Sequence, residues 1–183
     1  MEVAHPKLWK EHAEDLIKHA DVLIGSPSGL SDAEVETNIK DLCKTYNKTA
    51  FIARGALWGS EDILRMKDTI KDITITMRKH PSHLKGLKST RYIIYRIQQY
   101  KGQYRILYSK LMVILVLSPL AEKMSDEKMV ILYEGPVRDL CPLAPNNVNT
   151  MACLSIFGIG FDRTFGRLVS DPDTEAHHSK INL

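Results

Sequence analysis

The 183-residue sequence has few cysteines, no long apolar segment and no glycine-rich phosphate loop between a strand and a helix. Its three cysteines, Cys43, Cys141 and Cys153, form no CxxC pair, which excludes a disulfide scaffold and favours reduced thiols. No apolar run approaches the roughly 20 residues that span a bilayer, and the N-terminus lacks the apolar core of a signal peptide. We therefore expect a cytoplasmic protein without a membrane partner.

Acidic residues are missing from residues 73–121, which carry nine of the 25 lysines and arginines and five of the seven tyrosines. Such a segment can bind nucleic-acid phosphates and stack on bases, and its apolar end at residues 106–117 can lie on a membrane surface. A third explanation is that this compositional break marks an inserted segment. We favour the insertion and expect no nucleic-acid partner.

Short apolar runs alternate with helical patterns from the N-terminus onward. Runs at residues 2–4, 21–25 and 49–53 predict buried strands, separated by helices at 7–19 and after a capping box at Ser31–Glu34. Strands alternating with helices indicate a parallel sheet. Further along, alternation at 73–78 predicts a half-buried strand, and more strands are predicted at 129–133 and 165–170, with an apolar helix at 147–159 between them. The expected fold class is α/β: a partial Rossmann-type parallel sheet followed by an α+β catalytic-type domain, both incomplete.

Three loops follow the three predicted parallel strands, at His5-Pro6, at residues 25–29 and at residues 54–59. Open α/β sheets bind ligands at the carboxyl ends of their strands, so these loops would converge on one edge of the sheet. Each loop alone is also ordinary turn chemistry. The asparagines of the Pro145–Asn149 segment predict an N-cap for the apolar helix. The histidines at 80 and 83 and at 177 and 178 lack carboxylate or thiolate companions at zinc spacing, so we expect no metal.

Several long strings of the sequence resemble the L-aspartate dehydrogenase family, most closely its animal members. The strings are EVAHP (2–6), ADVLIGSPSGLSD (20–32), ARGALWGSED (53–62), LYEGPVRDLCPLAPNNVNTMA (132–152), GFD (160–162) and LVSDP (168–172). The resemblance implies oxidative deamination of L-aspartate to iminoaspartate with NAD or NADP, a reaction of pyridine nucleotide biosynthesis. It also implies L-aspartate as the small-molecule partner and leaves open a homo-oligomer.

The resemblance also implies roles for individual residues. It places Ala56 and Asn149 against the nicotinamide nucleotide, and it places the active-site histidine at His178, next to His177. A small residue admits the nicotinamide ring closely, and an amide can bond the carboxamide. An imidazole can transfer protons at neutral pH.

The sequence departs from the family in three places. The family's glycine-rich loop would precede Met1, residues 89–118 have no family counterpart, and residues 173–183 diverge. The expected domains are 1–59, the C-terminal part of a Rossmann-like dinucleotide-binding domain; 60–172, part of the catalytic domain with the insert; and a tail at 173–183. We accordingly expect an impaired enzyme. The alternative is a non-catalytic binding or regulatory fragment that pairs with a full-length subunit.

Overall fold

A computed structural model describes residues 1–3, 5–55, 57–83, 129–145, 147–175 and 178–183. The segment at 89–118 lies outside these ranges. The helices are α1 (Leu8–His19), α2 (Ala33–Tyr46), α3 (Ser60–Met66), α4 (Val137–Leu140) and α5 (Asn149–Phe157). The strands are β1 (Val22–Ile24), β2 (Ala50–Ile52), β3 (Ile73–Lys79), β4 (Val130–Pro136), β5 (Thr164–Ser170) and β6 (His178–Asn182). The chain forms two compact units: one from residues 1–73, 136–165 and 183, the other from described residues within 74–135 and 166–182.

The sheet of the first unit is parallel, which confirms the expected α/β class. β1 pairs with β2 from Val22 opposite Ala50 to Ile24 opposite Ile52. On the other side of β1, Glu2 forms an isolated parallel bridge with Ile24. Three extended segments therefore run in the same direction, and their carboxyl ends share one edge.

Helices α1 and α2 pack against each other in the first unit. Helix α1 buries Trp9, Ala13 and Ile17, which recur every four residues and so form one apolar face. The predicted cap of α2 at Ser31 is wrong: Asp32 is the N-cap, and its side chain accepts a hydrogen bond from the backbone N–H of Glu34. The Ser31 hydroxyl instead donates to its own 3₁₀ turn (Pro27–Ser31), at the carbonyl of Ser28.

Helix α5 is buried on all sides, as its uniformly apolar sequence predicts. The run from Met151 to Ser155 is inaccessible to solvent. The predicted asparagine cap is wrong, because the N-cap position is Val148, whose side chain makes no capping hydrogen bond. Asn149 is the first helical residue, which leaves its side chain available for another partner.

The second unit contains a four-stranded sheet in the order β4-β5-β3-β6. β3 alternates as predicted, with Ile75 and Met77 buried and Arg78 exposed. β6 was not predicted; it lies in the 173–183 tail and pairs antiparallel with β3, Arg78 opposite His178. The tail thus contributes an edge strand to this sheet.

Candidate functional site

A buried carboxylate organises the carboxyl edge of the parallel sheet. Glu2 is only 7% exposed, and its side chain pairs with four described donors. One oxygen accepts from the indole N–H of Trp9 at 3.0 Å and from the backbone N–H of Ser26 at 3.1 Å. The other accepts from the Ser26 hydroxyl at 3.0 Å and the backbone N–H of His5 at 3.1 Å. The carboxylate therefore ties the first strand-end loop to the second.

Two glycines let these loops approach each other closely. A Cβ at Gly25 would lie 2.3 Å from the carbonyl oxygen of Glu2, and one at Gly29 would lie 2.8 Å from that of Pro6. Both close contacts would be with backbone carbonyl oxygens, which cannot move aside as a flexible side chain can. A larger residue at either position would therefore push the loops apart.

The third loop follows β2 and is held by an ion pair between Arg54 and Glu61. Gly55 and Gly59 in this loop adopt positive φ angles of 57° and 71°, which glycine tolerates without strain. Ala56, the residue expected against the nicotinamide, lies between them and outside the described residues.

Helix α5 meets this edge at two points. The hydroxyl of Ser28 donates to the carbonyl of Pro145 at 2.8 Å, just before the helix. The thiol of Cys153 donates to the carbonyl of Ala53 at 3.1 Å, at the end of β2. Asn149 precedes Cys153 by four residues and so occupies the same helix face. That face is turned toward the loop after β2.

Asn149 carries an unpaired acceptor at this position. Its Oδ1 atom is buried and has no hydrogen-bond partner among the described residues. A buried polar atom without a partner costs free energy, so such atoms often mark a place that a ligand completes. Of the three predicted site residues, Ala56, Asn149 and His178, Asn149 is therefore the one for which the structure gives an independent indication of ligand binding.

The second unit holds His178, the predicted active-site histidine. Its side chain is exposed on the edge strand β6, opposite Arg78. Arg78 in turn lies 3.7 Å from the buried carboxylate of Asp171. Asp171 also accepts from the backbone N–H of Asp173, which closes the turn leading to β6. The neighbouring His177 lies outside the described residues.

Two thiols are buried in the first unit. Burial raises the pKa of Cys153 to about 11 and that of Cys141 to about 12. Thiolate is the nucleophilic form, so neither side chain is suited to nucleophilic catalysis at neutral pH.

Thiol labelling with a disulfide reagent at pH 8 should therefore distinguish the cysteines. At this pH roughly one Cys153 side chain in a thousand is thiolate, and the thiol is also inaccessible. We expect one slow-to-moderate reaction at the partly exposed Cys43 in the native protein and three after denaturation. Cys43→Ser should abolish the native reaction. A second native thiol reacting at the same rate would contradict the burial of Cys141 and Cys153.

The other candidate metal ligands considered from the sequence are the paired histidines. The rings of His80 and His83 lie 6.0 Å apart, edge to face. Within the described ranges, no three histidine, cysteine or acidic side chains are grouped as metal ligands. Among the helices described, none has the length and apolarity needed to cross a bilayer.

Sequence reasoning missed the residues that hold the edge together. Glu2 was seen only as part of an apolar strand, and Ser26 and Ser28 only as turn residues. The available signal was a carboxylate inside a buried strand, which requires donors from elsewhere in the chain. The identity of those donors depends on tertiary contacts 24 residues apart in sequence.

Comparison with known proteins supports the family resemblance. A family model described as "Aspartate dehydrogenase, C-terminal" matches residues 105–183, a range that includes part of the 89–118 segment and the whole tail. The aspartate dehydrogenase domain-containing protein of Xenopus tropicalis is 38% identical over 97% of this chain and 54% of its own length. Its Danio rerio counterpart is 35% identical over 97% of this chain and 55% of its own length. The chain thus spans about half the length of these relatives.

More distant matches point in the same direction. The L-aspartate dehydrogenase of Nitrosopumilus maritimus is 26% identical over 97% of this chain and 57% of its own length. The crystal structure of aspartate dehydrogenase from Thermotoga maritima matches with a TM-score of 0.67 at 21% identity, over 99% of this chain and 62% of that chain. This structural match shows the fold alone. The resemblance to the aspartate dehydrogenases is confirmed, whereas the domain boundaries stay a prediction.

Proposed function

From this resemblance to the aspartate dehydrogenases, an oxidoreductase family, we propose that the chain carries part of an NAD- or NADP-dependent enzyme that oxidises L-aspartate to iminoaspartate. The observation that supports the proposal is the buried, unpaired Oδ1 of Asn149 at the carboxyl edge of the parallel sheet. The carboxamide of nicotinamide has an NH₂ group, which can donate the hydrogen bond that the Oδ1 of Asn149 lacks. The Asn149 side chain therefore fits the carboxamide of the proposed cofactor.

The chain's own residues would divide the chemistry as follows. Asn149 would accept a hydrogen bond from the carboxamide and so orient the ring, and the family resemblance assigns Ala56 to the same nucleotide. When bound, the nicotinamide would supply the hydride acceptor for the substrate Cα–H bond. The family resemblance assigns the proton transfer to His178, which would accept a proton from the substrate ammonium group so that the nitrogen lone pair can form the C=N bond as hydride departs. The products are iminoaspartate, the reduced cofactor and a proton.

A second candidate is a non-catalytic fragment that pairs with a full-length subunit. In the first unit, Val3 beside the sheet edge is 67% exposed and Phe51 on β2 is 56% exposed. Exposed apolar side chains on strands favour association with another chain. In this candidate function, the exposed residues would pack against a full-length subunit.

Calorimetric titration with NAD and NADP distinguishes the enzyme from the non-catalytic fragment, after circular dichroism shows that the chain folds. We expect saturable binding of at least one nucleotide in a 1:1 ratio, and the better ligand settles the cofactor preference. An aspartate-dependent rise in NADH absorbance would then establish the reaction. A folded chain that binds neither nucleotide would overturn the enzyme proposal and leave the fragment.

A further inference from the structure

His5 lies at the carboxyl edge of the sheet and has no role in the chemistry above. Its backbone is fixed on both sides: its N–H donates to the Glu2 carboxylate at 3.1 Å, and its carbonyl accepts from the N–H of Leu8 at 3.0 Å. The side chain is half-buried. These two bonds hold the backbone of the turn in place at His5.

The hydrogen bonding of the ring selects one tautomer. Its Nδ1 atom accepts from the backbone N–H of Lys7 at 3.2 Å. A ring nitrogen that accepts a hydrogen bond carries no proton, so the neutral ring holds its proton on Nε2. Nε2 has no partner among the described residues. His5 therefore presents a single N–H donor away from its own backbone.

The surroundings of His5 are those of a ligand edge. Pro6, its neighbour, packs against Gly29 of the second loop, and the carboxylate that holds His5 also holds Ser26. Open parallel sheets bind dinucleotides at the carboxyl ends of their strands. The oxygens of Glu2 are already engaged by their four described donors, and the Nε2–H of His5 is left for an oxygen acceptor from a ligand.

We infer that His5 is a nucleotide-binding residue whose Nε2–H donates to an oxygen of the nicotinamide nucleotide, either a ribose hydroxyl or a phosphate oxygen. This inference rests on the proposed function, because it names a further contact of the same cofactor. It places a side-chain donor on the first strand-end loop, in addition to Asn149 on α5.

Two substitutions test the roles of the two ring nitrogens of His5 separately. His5→Asn keeps an acceptor for the N–H of Lys7, since an asparagine oxygen bonds the amide two residues on in an Asx turn. It removes the distal donor. His5→Gln keeps a distal donor, because its amide nitrogen reaches about as far as Nε2, and it removes the acceptor for the N–H of Lys7. We expect His5→Asn to weaken nucleotide binding at least tenfold in calorimetric titration, and His5→Gln to stay within threefold of the unaltered chain.

The outcomes are distinct from those of the proposed function. If the unaltered chain binds a nucleotide and both variants bind as well as it does, or both are weakened equally, the donor role of His5 is wrong while the cofactor proposal stands. If the unaltered chain binds no nucleotide, both are overturned. Ligand-observed NMR with nicotinamide mononucleotide and nicotinamide riboside then identifies the acceptor: an effect of His5→Asn on the mononucleotide alone indicates the phosphate, and an effect on both indicates the ribose.

Discussion

Replacing Glu2 with glutamine is expected to lower the free energy of unfolding by about 3 kcal/mol, a large effect for a change of one atom. The carboxylate is acceptor-only, and each of its oxygens faces two described donors. A glutamine amide must turn its NH₂ toward one of these pairs. Toward Trp9 and the Ser26 amide it would meet two N–H groups that cannot reverse.

The other orientation of the glutamine amide costs less but still leaves one donor without an acceptor. With the NH₂ group toward the other pair, the Ser26 hydroxyl can rotate to accept, but the backbone N–H of His5 becomes a donor without an acceptor. The remaining hydrogen bonds also lose the strength that the ionised carboxylate gives them. The two loops that Glu2 joins would then be held less firmly.

Urea unfolding followed by tryptophan fluorescence measures this change. Trp9 is fully buried and bonded to Glu2, whereas Trp58 is 90% exposed, so the signal reports on the environment of Trp9. Glu11→Gln is the matched control. Glu11 is exposed on α1, the helix that carries Trp9, and its replacement should change the free energy of unfolding by less than about 0.5 kcal/mol. Equal midpoints for the two variants would show that the buried hydrogen bonds do not stabilise the unit.

Local patterns were enough to predict most of the secondary structure. The apolar runs before Gly25 and around Phe51 are short and bounded by turn residues, and the sheet they predict is parallel as expected. β6 was missed because residues 178–182 have no apolar alternation. This edge strand forms by backbone pairing with β3, and its side chains are largely exposed.

The candidate site was predictable only where the resemblance to known dehydrogenases supplied it. Convergence of the three loops followed from strand order, but the bonds that join them did not. Ser31 and Asp32 are both good caps by composition, and the tertiary fold of the 3₁₀ turn decided between them. Likewise the Asn149 side chain could have capped α5, but the N-cap position is Val148, and the Oδ1 atom of Asn149 is buried without a described partner.

Asn149→Ala should separate stability from binding. Its Oδ1 makes no described hydrogen bond, so its removal breaks none, and alanine has the higher helix propensity. We expect the free energy of unfolding to stay the same or rise by about 0.5 kcal/mol. Nucleotide binding should weaken at least tenfold, which corresponds to a loss of about 1.4 kcal/mol. A purely structural asparagine would give the opposite pattern.

A second alanine variant on α5 makes the comparison specific. Ser155 is fully buried, and its hydroxyl donates back to the carbonyl of Met151 within the helix. Ser155→Ala therefore changes a polar group on the same helix without touching the sheet edge, and its dissociation constant should equal that of the unaltered chain. If Asn149→Ala also bound nucleotide normally, the buried acceptor would not be a cofactor contact. Weakened binding in Asn149→Ala alone would tie nicotinamide recognition to the one buried side-chain acceptor for which the described part of the chain offers no donor.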